Sequence, residues 1–105
     1  MFSYNLKEAN EKITVFLDGD LDLEATEVFE ETLMNEIQQT SGPVELDFHN
    51  IDFVDSSGIG LLITLINLLK DTNRQPTIIH LNEGVKRVFE LLQLEEILGK
   101  DVVVL

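Results

Sequence analysis

The sequence predicts an α/β fold: a mixed sheet of four to five strands with helices packed mainly on one face. Three observations lead there. Two runs of period-two alternation near the N-terminus flank a polar break, which reads as a hairpin. Two alternations of strand and helix follow, and the unit from Val44 to Leu81 requires a right-handed crossover between parallel strands. The strands alternate apolar with polar residues, so one sheet face stays wet, unlike the uniformly apolar strands of a sheet covered on both sides. With 105 residues, the chain is expected to form one domain, 1–105.

In the first run Phe2, Tyr4 and Leu6 alternate with small or polar residues; Ile13, Val15 and Leu17 repeat the pattern after Asn10-Glu11-Lys12. Asp18-Gly19-Asp20-Leu21-Asp22 reads as an acidic turn. From about Leu23 to Gln39, Ala25, Val28, Phe29, Leu33 and Ile37 fall at helical spacing, with Asp22 as expected N-cap and Ser41-Gly42-Pro43 as the stop. Val44, Leu46 and Phe48 form a half-buried strand, and Asn50 to Val54 carry the chain to Asp55-Ser56-Ser57-Gly58 and a helix reaching about Thr72. A turn at Asn73-Arg74-Gln75-Pro76, a short strand from Thr77 to Leu81 and a helix opened by Asn82-Glu83-Gly84 follow. Leu94 to Leu98 extend that helix or turn, and Val102 to Leu105 form a final edge strand.

Composition removes whole classes of function. There is no Cys, which excludes disulfides, thiolate metal sites and Cys nucleophiles. The most apolar stretch, Gly58 to Leu69, is too short to span a bilayer, and Met1-Phe2-Ser3-Tyr4 shows no secretory signal, so a cytoplasmic protein without membrane insertion is expected. Seven basic against 20 acidic side chains give a formal charge of −13, which opposes binding to nucleic acid or anionic lipid and favours a monomer when free. Residues 18–36 hold eight carboxylates and no basic residue. They serve as a solvated face, or they steer a basic protein partner.

Chemistry concentrates where Val54 hands over to the helix. Ser56 and Ser57 stand at a helix N-terminus, where unpaired N–H groups and a partial positive charge accommodate a capping hydroxyl or a phosphate. Gly58 and Gly60 remove side-chain bulk from that turn. Ser56 or Ser57 is therefore either a simple N-cap or a modified residue. No metal site is expected: Asp18, Asp20 and Asp22 lack the remaining ligands of a calcium loop, with Phe29 at the twelfth position. Nor is an enzyme. Val54-Asp55-Ser56-Ser57-Gly58 is not a nucleophile elbow, the available bases, His49 and His80, read as strand or strand-end residues, and no lysine-bearing phosphate loop is present. Along the helix after Ser56, Ile59, Leu62, Ile63, Ile66 and Leu69 form one apolar stripe, and Leu61, Leu65 and Leu68 form a second, either buried by neighbours or exposed for docking.

Asp55-Ser56-Ser57-Gly58-Ile59-Gly60 after a hydrophobic strand resembles the phosphorylation loop of bacterial anti-sigma factor antagonists, the STAS domain family. Gly19-Asp20-Leu21-Asp22 is similar to that family's Gly-Glu-Leu-Asp element, with Asp20 in place of the more usual Glu. Gly84-Val85-Lys86-Arg87-Val88-Phe89, with Leu91 and Leu94, resembles its third helix. The resemblance implies a single STAS-like domain and a partner switch: the unphosphorylated chain binds an anti-sigma factor with serine kinase activity and frees the sigma factor. The kinase, using ATP and magnesium, then phosphorylates Ser56 and ends binding, and a phosphoserine phosphatase resets it. The resemblance also implies partner binding by Asp20, Asp22, Asp55, Ser57, Gly58, Ile59 and Gly60, and no cofactor on this chain. An alternative is an accessory subunit of a stress-signalling scaffold or lipid-transport complex, without a phosphorylation switch.

Overall fold

Asn10 and Glu11, both at positive φ (53° and 61°), make the two-residue turn that joins β1 (Ser3–Ala9) to β2 (Lys12–Leu21). Positive φ at both central positions matches the twist of antiparallel partners, and Asn tolerates it best. The computed structural model describes residues 1–104. Parallel to β2 runs β3 (Val44–Val54), and parallel to β3 runs β4 (Pro76–Ile79), in the order β1-β2-β3-β4. The expected mixed sheet is present with four strands. The segment from Val102 contributes a single parallel bridge, Ile78 with Val103, rather than a fifth strand; Leu105 lies outside the described residues.

Two strands are longer than the sequence implied. Asp18-Gly19-Asp20-Leu21 is the end of β2, not a turn, and Asn50 to Val54 continue β3. Register shifts between Phe16 and Asp18, and between Gly19 and Asp20, break the period-two pattern there. Gly19 sits at φ +99°, and a Cβ on it would overlap the Met1 carbonyl, so only glycine fits.

Ile13, Val15, Leu17, Val44, Leu46, Phe48 and Ile78 are buried on one sheet face, under the helices. Thr14, Glu45 and Thr77 register with one another on the opposite, wetter face. Asp47 on that face is only 6% exposed. Its Oδ1 accepts from the His49 N–H at 2.8 Å, and its Oδ2 lies 2.9 Å from His80 Nδ1. His80, at φ +60°, ends β4.

The expected helix from Leu23 to Gln39 is three pieces: a 3-10 turn (Leu23–Ala25), a π-helical turn (Val28–Leu33) and α1 (Met34–Gln38). Buried Ala25, Phe29, Leu33 and Ile37 recur every fourth residue. A 3.6-residue turn drifts by ~40° per step on that repeat. The wider π turn offsets the drift and keeps the stripe on the sheet. Arg74 holds the end of α1, donating from Nε to the Gly42 carbonyl (2.6 Å), from Nη1 to the Ile37 carbonyl (3.0 Å) and from Nη2 to Thr40 Oγ1 (3.0 Å). A cation there also complements the helix dipole.

In α2 (Ser56–Asp71) most of both apolar stripes is covered: Leu61 and Leu65 are buried with Leu62, Ile66 and Leu69, against β2, β3, β4 and α4 (Leu94–Leu98), while Ile63 and Leu68 are half-buried. Leu61 and Leu65 of the second stripe are therefore core, and only Leu68 is left partly open. Asn82 caps α3 (Glu83–Leu91), its Oδ1 accepting from the Val85 N–H at 2.9 Å, while its Nδ2 donates to the Ile51 carbonyl at 2.6 Å. Phe89 on α3 meets Phe48 edge-on, with ring centroids 5.9 Å apart.

The hairpin is tied to α1 by the Tyr4 hydroxyl, which donates to Glu36 Oε1. Desolvation, then the hydrogen bond to the Glu36 carboxylate and its negative charge, pushes the Tyr4 pKa up from 10.0 to about 12. The neutral phenol is thus favoured by the fold. The resulting stability is fully present below pH 10 and lost as pH rises through 12. Tyr4 is the sole tyrosine and there is no tryptophan, so ultraviolet titration reads it directly. A tyrosinate transition near pH 12 is expected, moving toward 10 in Glu36→Gln; a wild-type transition at 10 would show that the contact is not made in solution.

Candidate functional site

Parallel pairing of β2 with β3 sends both strands to the same sheet edge, and the register Asp20 with Phe53 and Leu21 with Val54 sets the two following loops side by side. The segment carrying Asp20 and Asp22 is thereby brought beside the segment carrying Asp55 and Ser56. The Asp55 N–H donates to the Leu21 carbonyl at 3.2 Å, which fastens one segment to the other. Parallel neighbouring strands already imply that the segment after Asp18 lies beside Ser56; the hydrogen bond that fastens it there joins residues more than thirty positions apart.

Asp55, not Ser56 or Ser57, is the N-cap of α2. Its backbone is extended (φ −111°, ψ −175°), and its Oδ1 accepts from the Gly58 N–H at 2.9 Å. The Asp55 carbonyl accepts from the Ile59 N–H at 2.9 Å. Of the four N–H groups that open the helix, those of Ser56 and Ser57 take no protein acceptor among the described residues. With the cap supplied by Asp55, both hydroxyls are free of that task. Ser56 is exposed and Ser57 half-buried. An exposed hydroxyl on the first residue of a 16-residue helix, beside two free N–H donors, is a suitable acceptor for a phosphoryl group.

The other expected residues divide. Gly58 is buried, and a Cβ on it would overlap the Leu21 carbonyl, so its lack of a side chain lets α2 press against the end of β2. Ile59 is also buried, at 8% exposure. Gly60 is exposed, and a Cβ on it would meet nothing within 4 Å, which leaves a bare patch of helix one turn beyond Ser56. Asp20 and Asp22 are half-buried; the Asp22 Oδ1 accepts from the Glu24 N–H at 3.1 Å and caps the 3-10 turn, as its position suggested. Neither histidine hydrogen-bonds Ser56 or Ser57 among the described residues, and His80 is engaged with Asp47. Two apolar neighbours escaped the sequence reading: Phe53, 51% exposed, and Leu23, 70% exposed. Both stand next to acidic residues and off the apolar stripes that helix and strand spacing pick out, so no periodicity marks them.

No helix among the described residues is long and apolar enough to cross a membrane. The STAS domain family matches the chain over residues 3–103. An anti-sigma-B factor antagonist from Staphylococcus epidermidis is 25% identical over 84 residues, which cover 80% of this chain and 78% of that one. An anti-sigma factor antagonist from Mycobacterium paratuberculosis superposes with a TM-score of 0.79 at 14% identity, covering 91% of this chain and 81% of the other. The Bacillus cell fate determinant SpoIIAA, solved in its phosphorylated form, superposes with a TM-score of 0.64 at 21% identity, covering 90% and 86%. At these identities the solved structures speak to the fold.

Proposed function

Because the chain belongs to the STAS domain family, matched from residue 3 to residue 103, we propose that it is an anti-sigma factor antagonist switched by phosphorylation of Ser56. The unphosphorylated form binds an anti-sigma factor with serine kinase activity and so releases the sigma factor. Phosphorylation on Ser56 by that kinase, with ATP and magnesium, ends the interaction, and a phosphoserine phosphatase restores it. The observation that carries this is the exposed Ser56 at the start of α2, with the cap already supplied by Asp55. The antagonist names of the relatives, and the existence of SpoIIAA in a phosphorylated form, support it.

A phosphoserine brings roughly −1.5 to −2 charges at neutral pH. The helix N-terminus and the N–H groups of Ser56 and Ser57 accommodate that charge in the free protein, so the fold has no cause to change. A partner closing over the site must instead desolvate it among Asp20, Asp22, Asp52 and Asp55. Burying an unmatched charge of this kind costs several kcal/mol, and a loss of about 3 kcal/mol weakens binding by roughly two decades. Asp20, Asp22, Asp55, Ser57 and Gly60 border the contact, while buried Gly58 and Ile59 fix the height of the helix behind it.

Phosphate mapping tests the acceptor. The purified chain, incubated with magnesium, ATP and extract of its source organism, is expected to gain one phosphate, on Ser56. Ser56→Ala should gain none, and Ser57→Ala should be labelled like wild type. Full labelling of Ser56→Ala would move the acceptor to Ser57.

A further inference from the structure

Phe53, in the last paired positions of β3, and Leu23, in the 3-10 turn that follows β2, lie within two positions of the paired residues Leu21 and Val54, at the sheet edge where α2 begins. Phe53 is 51% exposed on a strand whose neighbours Ile51 and Val54 are buried, and Leu23 is 70% exposed in the first turn after Asp22. Asp52 precedes Phe53, Asp20 pairs with it across β2 and β3, and Asp22 and Glu24 flank Leu23. The sequence carries no Lys or Arg from Ile13 to Leu69, a span holding twelve of the twenty carboxylates. The cations on an element that starts from this edge are Lys86 and Arg87 of α3, and Lys86 already lies 3.9 Å from Glu83.

We propose that Phe53 and Leu23 are the apolar anchors through which this face grips its partner, and that the partner offers them an apolar pocket bordered by Arg or Lys. The proposal rests on the assignment of this edge as the partner site and adds what must fill it. Two features argue for a protein occupant with basic borders. Large apolar side chains surrounded by polar groups are the usual anchors of protein interfaces, with the energy concentrated in a few such residues. The carboxylate rim repels phosphate-bearing surfaces and attracts cationic ones, so it sets the sign of the partner's border and hastens encounter. The same arrangement explains the effect of a phosphate on Ser56, which adds like charge beside anchors that must be dehydrated to engage.

The test places photo-reactive benzoylphenylalanine at position 53, at position 23 and, as a remote exposed control, at Leu91 (78% exposed), in the full chain expressed in its source organism. Each is made with Ser56 and again with Ser56→Asp, and the crosslinked peptides are sequenced. Crosslinks from 53 and 23 to one protein, at apolar residues flanked by Arg or Lys and absent from position 91, are expected, with a loss in Ser56→Asp. If those crosslinks persist unchanged in Ser56→Asp, the anchors stand and the phosphorylation switch falls. No crosslink from 53 or 23, or crosslinks onto an acidic surface, would overturn the anchors whatever Ser56 does. With the crosslinked protein purified, Leu23→Ser and Phe53→Ser should each weaken binding by about thirtyfold while circular dichroism stays unchanged.

Discussion

Ser56→Asp is expected to lower affinity for the anti-sigma factor by at least about tenfold, and phosphorylation of Ser56 by roughly a hundredfold. The smaller figure follows from charge: an aspartate brings one negative charge where the phosphate brings nearly two. Loss of the fold would not account for either effect. A carboxylate in the first turn of α2 interacts favourably with the helix dipole, by about 0.3–1 kcal/mol at such positions, so the variant should be as stable as wild type or slightly more so. Ser56→Ala removes an exposed hydroxyl that plays no capping role, because Asp55 holds the cap. Its affinity should stay within about twofold of wild type. Titration calorimetry of the three proteins against the purified anti-sigma factor separates these outcomes. Equal affinity of Ser56→Asp and Ser56→Ala would mean that charge at this position does not govern binding.

The largest effect on stability is expected at Gly58. A methyl group there overlaps the Leu21 carbonyl, which belongs to backbone and also accepts the Asp55 N–H, so nothing nearby can yield cheaply. Either α2 lifts from the end of β2 or the Asp55 cap is lost, and Gly58→Ala should cost about 3 kcal/mol or more. That is a large share of the 5–15 kcal/mol that holds an ordinary domain together. Gly60→Ala, two residues on, meets open space and should gain up to about 1 kcal/mol from helix propensity. Urea unfolding of the pair gives opposite signs from the same chemical change. A Gly58→Ala variant as stable as Gly60→Ala would contradict the close approach of α2 to Leu21.

These two glycines show where the sequence is transparent. Alternation at Val15, Leu17, Leu46 and Phe48, the Asn10-Glu11 break and the apolar spacing of α2 each follow from local periodicity, and so the hairpin, the crossover and the helix positions were legible. So was Ser56 at a helix start. The end of β2 was not, because Asp18, Gly19 and Asp20 are poor strand formers whose extended state depends on pairing with β3, some thirty residues downstream. The continuation of β3 was hidden for a related reason: its buried positions step from Phe48 to Ile51 to Val54, which is not a strand period. Nor could the pattern distinguish a second apolar stripe that docks from one that is buried, since Leu61 and Leu65 are covered by elements remote in sequence. The cap fell to Asp55 rather than to either serine, because the chain is still extended at Asp55 and its carboxylate reaches the N–H three residues ahead. That one-residue difference leaves the exposed Ser56 hydroxyl without a capping role.

The most direct test of the switch is a side-by-side capture from the source organism's lysate, in magnesium and ADP, with wild type, Ser56→Ala and Ser56→Asp as baits and mass spectrometry of what each retains. A kinase-like anti-sigma factor held by wild type and Ser56→Ala and lost by Ser56→Asp is the predicted result. Retention of one and the same partner by all three baits would contradict it.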